Sequence, residues 1–396
     1  MSDPSEPYGP NRQREVYAGG MLANQTPDLP TSPEKLAELA RESLSPEAHA
    51  YVAGSAGAES TKGENRRAFD RWRIVPRMLR DVAERDLSVE LFGRELPVPV
   101  LLAPIGVQSI IHEEGELAAA RAAKSMDVPL VLSLASSETM EDVADELGDT
   151  LAWFQLYWSA DRDVTVSFLE RAEDVGFEAI VVTLDTPIMG WRERDVKHAY
   201  LPFLDQEGVA NYFSDPAFRE SLDSPPEDDP NAAVWRFTEI FGDPSLTWND
   251  LDFLREHTDL PIVLKGILHP EDAREAVERD VDGLVVSNHG GRQVDGAIGA
   301  LSALPGVVDE VGDEVPVLFD SGIRRGADAF RAIALGADAV LLGRPYVYGL
   351  AIDGEDGVRE VLQNFLADLD LTLALSGHDS FETVDRSVLV ESDSRP

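Results

Sequence analysis

The seven residues Ser287-Asn288-His289-Gly290-Gly291-Arg292-Gln293 concentrate several kinds of chemistry in one short stretch. A histidine can exchange a proton near neutral pH, and an arginine can hold a carboxylate in a two-pronged grip. The two glycines between them permit unusual backbone angles and close approach of a ligand. Taken alone, the heptad reads equally as a polar loop at a strand end. Lys265 closes the apolar run 261–264, where an inward-pointing ammonium needs an anionic partner. Asp185 follows the run 179–184 and could hold His289 in one tautomer while stabilising its protonated form, which predicts a raised histidine pKa. Asp320-Ser321-Gly322-Ile323-Arg324-Arg325 and Gly343-Arg344-Pro345 look like a phosphate cradle, with glycine-freed N–H groups, arginines and a helix start. A surface arginine cluster is the plainer reading.

What must position these residues is a repeating rhythm. Apolar runs of strand length lie at 98–103, 130–134, 152–157, 179–184, 261–264, 283–286, 315–319 and 337–342. Helical patterns at 114–126, 162–175, 270–279 and 326–335 separate most of them. Eight strands alternating with helices predict parallel strands buried on both faces, and the closed form is the α/β class (β/α)8 TIM barrel. An open doubly wound sheet is the alternative, against which counts the lack of a glycine-rich fingerprint after the first strand. Barrels collect function where strands end. Those positions carry Pro104-Ile105-Gly106, Ser133, Gln155 with Tyr157, Thr183 with Asp185, Lys265 and the heptad.

Other segments surround this frame. Residues 1–30 are rich in Pro, Gly and polar groups and read as an arm lying over the body or partly disordered. Ser32-Pro33-Glu34 and Ser45-Pro46-Glu47 are helix starts, the second opening a helix that carries Tyr51. The alternating segment 87–91 with Gly93 predicts a hairpin sealing the barrel base. One barrel domain is expected over 31–385, followed by a tail, 386–396. Between Asp185 and a helix start near Thr247 the rhythm breaks. This insertion, about 200–245, has little regularity and is expected to be a lid, with a decorative loop as the alternative.

Composition narrows the function. Against 34 basic residues stand 74 acidic ones, a net charge of −40, which argues against nucleic acid or anionic membranes as partners. The acidic residues are scattered, and such a shell suits a halophile's high-salt cytoplasm, where screening removes self-repulsion. There is no cysteine, so thiolate sites and disulfides are excluded. The other histidines lack acidic residues at ligand spacing, so no metal is expected, and no Gly-x-Ser-x-Gly turn suggests a serine hydrolase. No apolar run approaches a membrane span, and the N-terminus lacks a signal peptide's pattern, so a cytoplasmic location is expected.

The intact heptad, with Leu184-Asp185-Thr186, Gly190-Trp191-Arg192, Leu264-Lys265-Gly266-Ile267 and Asp320-Ser321-Gly322-Ile323-Arg324, resembles the FMN-dependent α-hydroxy-acid oxidising enzymes. The resemblance runs from about Tyr51 to residue 385. It is strongest to the lactate 2-monooxygenase branch, through Tyr51-Val52-Ala53-Gly54, Ala103-Pro104-Ile105-Gly106-Val107 and the long insertion. It implies FMN as cofactor, with a small 2-hydroxy acid, L-lactate first, and O2 as substrates. It further implies His289 as base, Asp185 as its charge partner, Arg192 and Arg292 as the carboxylate clamp, and Tyr51 and Tyr157 as substrate hydrogen-bonding groups. Pro104, Ile105, Gly106, Ser133, Gln155, Thr183, Lys265 and Ser287 would face the flavin ring. Asp320, Ser321, Gly322, Arg324, Gly343 and Arg344 would take its ribityl phosphate. A homo-oligomer, tetramer or octamer, is the implied assembly. An oxidase releasing 2-oxo acid and H2O2, or a dehydrogenase, is the alternative chemistry. A different phosphate-binding barrel, such as an FMN isomerase or aldolase, or a flavin-storage protein, is the alternative class.

Overall fold

In the computed structural model, which describes residues 7–392, the eight expected strands close into one barrel. They are β1 (Val100–Leu102), β2 (Leu130–Ser133), β3 (Ala152–Leu156) and β4 (Ile180–Thr183). The ring continues through β5 (Ile262–Ile267), β6 (Gly283–Val286), β7 (Val317–Phe319) and β8 (Ala339–Leu342), which pairs with β1. Every neighbouring pair is parallel, as the helical crossovers require. The open sheet is therefore excluded. Leu101, Val131, Trp153, Val181, Val263, Val285, Leu318 and Leu341 form one fully buried cluster, the barrel interior. Their alternate neighbours, among them Leu102, Leu132, Phe154, Val182 and Leu264, pack in the second cluster with the outer helices. The period-2 alternation thus buries both faces, each large side chain contributing roughly 1.5–3 kcal/mol.

The base is closed as expected. Val89–Leu91 and Arg94–Leu96 pair antiparallel, and Leu91, Leu96 and Phe92 join the interior cluster, with the Phe92 ring 5.4 Å from Trp153. Ser32 and Ser45 cap helices Pro33–Ser43 and Pro46–Ala53 by accepting the Lys35 and Ala48 N–H groups. Of the arm and tail, residues 1–6 and 393–396 lie outside the described residues. Tyr8–Ala23 is a helix laid on the last helix, Arg344–Ser376, where the Gly9 N–H donates to Asp370 Oδ2 at 2.7 Å. Leu389–Glu391 pairs with Trp72–Ile74. No described helix is long and apolar enough to cross a membrane.

The insertion is more ordered than its sequence suggested. It folds into short helices, Glu193–His198, Ala210–Ser214, Pro216–Glu220 and Pro230–Ile240, around an aromatic cluster. Phe237 lies 5.2 Å from Phe203, 4.9 Å from Tyr212 and 5.0 Å from Phe241. Tyr212 in turn packs edge-on against Phe168 of helix Arg162–Asp174. Helices of five residues show no sequence periodicity, and tertiary packing supplies their stability.

Candidate active site

Most of the expected residues line one cavity at the C-terminal ends of the strands; Gln155, Thr183, Asp185 and Ser287 are not part of its lining. It is lined by the backbone of Pro104 to Gly106 after β1, by Ser133 and Tyr157, by Lys265, and by Asp320 to Arg324 after β7. Tyr51, Arg192, His289, Arg292, Gly343 and Arg344 complete the shared wall.

The heptad turns sharply. His289, Gly290 and Gly291 all have positive φ, 56°, 65° and 79°, which only glycine adopts without strain. His289 accepts that conformation because the turn is tied at several points. Its N–H donates to Ser287 Oγ at 3.0 Å, and Gly290 N–H donates to Ser321 Oγ at 3.0 Å. A reciprocal amide pair, Asn65 Nδ2 to Asn288 Oδ1 at 2.8 Å and Asn288 Nδ2 to Asn65 Oδ1 at 2.7 Å, locks the loop to helix Ser60–Asp70. Gln293 Nε2 donates to the Asp185 carbonyl at 2.7 Å, joining the heptad to the loop after β4. Neither Asn65 nor Gln293 carried a sequence signal for this role.

His289 Nδ1 lies 2.8 Å from Asp185 Oδ1, with the Thr186 hydroxyl 3.4 Å from the same nitrogen. Asp185 reaches this position because Gly266 follows Lys265 in β5, where a Cβ would stand 2.9 Å from the Asp185 side chain. Lys265 lies inside β5, not at its end: the strand runs on to Ile267 through a bulge at Gly266. The Lys265 ammonium donates to Ser287 Oγ at 3.1 Å and pairs with Asp320 Oδ2 at 3.3 Å. Burial opposes its charge, but Asp320 and Asp185 outweigh burial and hold the lysine above its ordinary range. Burial also opposes the charge of Asp185, yet His289 and Lys265 keep its carboxyl below the usual carboxylate range.

One electrostatic expectation is reversed. The Asp185 partnership predicted a raised histidine pKa, whereas His289 is held below its ordinary value. Burial is the largest cause, and Lys265 and Arg192 add to it against the pull of Asp185. Burial thus favours the uncharged ring, whose Nδ1 faces the carboxylate.

Beside it stand two guanidiniums. Arg192 donates to Gln293 Oε1 at 3.2 Å, and Arg292 donates to the Gly54 carbonyl at 3.1 Å and to the Tyr51 carbonyl. The Arg292 guanidinium lies 5.0 Å above the Tyr51 ring. Neither arginine has an ion-pair partner among the described residues. Burial, then Arg192, then Arg344 push Arg292 down to about 9, a state that an arriving anion relieves. Burial pushes the Tyr157 phenol up to about 12. Its ring lies 6.5 Å from His289 and 5.1 Å from Phe241, which with Phe203 brings the insertion into the cavity wall.

At the far end the half-buried Arg324 is pushed down to about 10, by desolvation and then by Arg344. Gly343 has no side chain, and a Cβ there would find only Ile105 and Ala103 at 3.7 and 3.8 Å. The Arg344 guanidinium turns away from a ligand role: it donates to the carbonyls of Val52, Gly54 and Gly290 and to the Ser55 hydroxyl. Its backbone opens the last helix, whose N-terminus favours an anion. Between the two ends, Ser133 Oγ donates to Gln155 Oε1 at 2.9 Å, leaving Gln155 Nε2 and Thr183 Oγ1 buried without partners. Orphaned donors near Lys265, and a half-buried cation beside a helix start, fit a polar ring at one end and a phosphate at the other. FMN satisfies both.

Comparison with known proteins agrees. Residues 40–391 match the FMN-dependent dehydrogenase family. The chain is 47% identical to an FMN-dependent alpha-hydroxy acid dehydrogenase of Penicillium citrinum, over 92% of each chain. It is 46% identical to an L-lactate oxidase of Lysinibacillus sphaericus, over 87% of this chain and 88% of the relative. Human 2-hydroxyacid oxidase 1 is 40% identical, over 86% and 90% respectively. A crystal structure of mandelate oxidase superposes with a TM-score of 0.81 at 38% identity, covering 92% of this chain and 98% of that one. The chain belongs to the FMN-dependent dehydrogenase family and is an FMN-dependent α-hydroxy-acid oxidoreductase.

Proposed function

We propose that the protein oxidises a small L-2-hydroxy acid, L-lactate first, and retains the 2-oxo acid, so that lactate and O2 leave as acetate, CO2 and water. The observation that carries this reading is one imidazole, 2.8 Å from Asp185, beside two guanidiniums that have no ion-pair partner among the described residues. Arg192 and Arg292 grip the substrate carboxylate, which fixes the α-carbon relative to the base. Tyr157, kept protonated by burial, and Tyr51 hydrogen-bond to the substrate. Asp185 accepts a hydrogen bond from the Nδ1–H, so the Nε2 lone pair of His289 is free to accept the proton of the substrate hydroxyl. As that proton arrives, Asp185 offsets the new charge on the ring.

When bound, FMN would supply the acceptor for the α-carbon's hydrogen with its electron pair, so that loss of that pair and of the hydroxyl proton to His289 leaves the 2-oxo acid, and O2 would then reoxidise the cofactor. Pro104, Ile105, Gly106, Ser133, Gln155, Thr183, Lys265 and Ser287 would hold its ring, the lysine standing where reduction adds negative charge. Asp320, Ser321, Gly322, Arg324, Gly343 and the backbone of Arg344 would hold the ribityl phosphate. Met189, Phe203 and Phe241 offer the substrate side chain an apolar wall that suits a methyl group. Two of those three come from the insertion, whose packed aromatic cluster supports its use as a lid that slows product release. Gly106 supports tight closure as well, since a Cβ there would stand 2.4 Å from the Ala135 carbonyl.

A second reading, release of the 2-oxo acid with H2O2, is favoured by the oxidase activity named for two relatives. Product analysis separates the two. Acetate and CO2 equal to the O2 consumed support retention, whereas pyruvate with equal H2O2 rejects it in favour of the oxidase.

A further inference from the structure

Behind the cavity wall lies a buried polar cluster that the chemistry above does not use. Between Gly106 and Gln108 the chain turns through Val107 with φ +59°, a conformation that a β-branched residue adopts only when its surroundings compel it. Three contacts hold the turn. Val107 N–H donates to the Ala135 carbonyl at 2.8 Å. Gln108 N–H donates to Glu116 Oε1 at 3.1 Å, and the same oxygen accepts the Ser137 N–H at 3.1 Å. Gln108 Nε2 donates back to the Ile105 carbonyl at 2.8 Å and to the Tyr346 hydroxyl at 3.2 Å, while Tyr346 donates to the Ala103 carbonyl. These bonds fix the Gln108 amide orientation and leave its Oε1 without a donor. Glu116 Oε2 is likewise buried and without a partner.

Two orphaned acceptors, on residues already joined through the Gln108 backbone N–H, cannot satisfy one another unless one carries a proton. We propose that Glu116 is a neutral carboxylic acid that donates its proton to Gln108 Oε1, and that this clamp positions the strained turn whose Pro104–Gly106 backbone faces FMN. Glu116 is 1% exposed and has no ion-pair partner among the described residues. Burial, with Glu138 adding to it, pushes its carboxyl up to about 7. The titratable groups around it are Glu138 after β2, Tyr346 on the last helix, Glu207 of the insertion, bonded to Ser109, and His112, Glu113 and Glu114 on the approach to its own helix. All but His112 are acidic or phenolic; the Gln108 and Ser137 N–H groups on Oε1 favour the carboxylate, but burial outweighs them. The same cluster reaches the lid, because Ser109 lies 2.7 Å from the Ser137 hydroxyl and donates to Glu207. Glu116 is thus a positioning residue, acting through Gln108.

The inference rests on FMN occupying this cavity, and its test reads FMN affinity and the acid proton, not turnover. The full-length apoprotein is titrated with FMN between pH 6 and 8.5. As the proton leaves, wild-type affinity falls about tenfold, the worth of one buried hydrogen bond. Glu116→Gln keeps the shape and can still donate to Gln108 Oε1, so its affinity stays within threefold over the same range. Infrared spectra at pH 6 show a protonated-carboxyl C=O band that moves to higher frequency in Gln108→Leu. A Glu116→Gln protein with the wild-type pH slope overturns the proposal. So does a spectrum in which Gln108→Leu moves no acid band, the result expected if a water bridges a charged carboxylate. The infrared comparison decides the matter even if Glu116→Gln does not fold. Failure of wild type to bind FMN at any pH would instead strike the cofactor assignment.

Discussion

Replacing Asp185 with asparagine isolates the electrostatic part of the proposed chemistry. The carboxylate oxygen stands 2.8 Å from His289 Nδ1, and both groups are partly buried. When the imidazole takes a proton, opposite charges roughly 4 Å apart between centres attract by about 4 kcal/mol at an effective dielectric near 20. A neutral amide forfeits that attraction while filling the same volume. Since 1.36 kcal/mol is a factor of ten in rate, the proton-taking step should slow by about 10³-fold. Asparagine also tends to reverse the tautomer, which adds to the loss. FMN should remain bound, because Lys265 keeps Asp320 and Ser287 as partners. Rapid anaerobic mixing with L-lactate, read as loss of flavin absorbance, measures the effect. An Asp185→Asn protein within threefold of the wild-type rate would refute the reasoning.

Three other outcomes follow from the same geometry. A base held below its ordinary pKa is already neutral at pH 7, so kcat/KM should be flat through neutrality and fall only below the usual histidine range; a midpoint above about 6.5 would contradict this. Asn65→Ala strands the Ala300 N–H and leaves the buried Asn288 amide only the Ile298 carbonyl and the Gly291 N–H as partners, which should cost about 1–3 kcal/mol and lower Tm by a few degrees in a thermal melt. With a net charge of −40, the Tm of the full chain should rise with added KCl as screening weakens self-repulsion, a trend that a salt series in the same melt checks.

The barrel and most of the site were legible in the sequence because each strand is a short apolar run ending in a polar residue. The heptad, Asp185 and Asp320 sit at such boundaries, Lys265 lies inside its strand at the end of the apolar run, and closure of the ring brings them together. What stayed hidden is what closure itself creates. Asn65 meets Asn288 across 223 positions, and an ordinary asparagine in a polar helix announces nothing. Glu116 sits among alanines in helix Gly115–Met126, where only burial distinguishes it from a solvated acid. The pKa of His289 was misjudged because pairing a base with an acid ignores burial, Lys265 and Arg192, whose positions come from other strands and loops. Arg344 was placed by its neighbours in sequence, yet its guanidinium found four acceptors on two distant loops.

The most direct test of the central claim is the anaerobic addition of L-lactate to the FMN-loaded protein, beside a His289→Gln protein carrying the same flavin. The account predicts prompt bleaching in the wild type and a rate lower by several orders of magnitude in the variant, with FMN still bound. A wild-type flavin that stays yellow under L-lactate and other small 2-hydroxy acids, or a variant that bleaches at the wild-type rate, would contradict it.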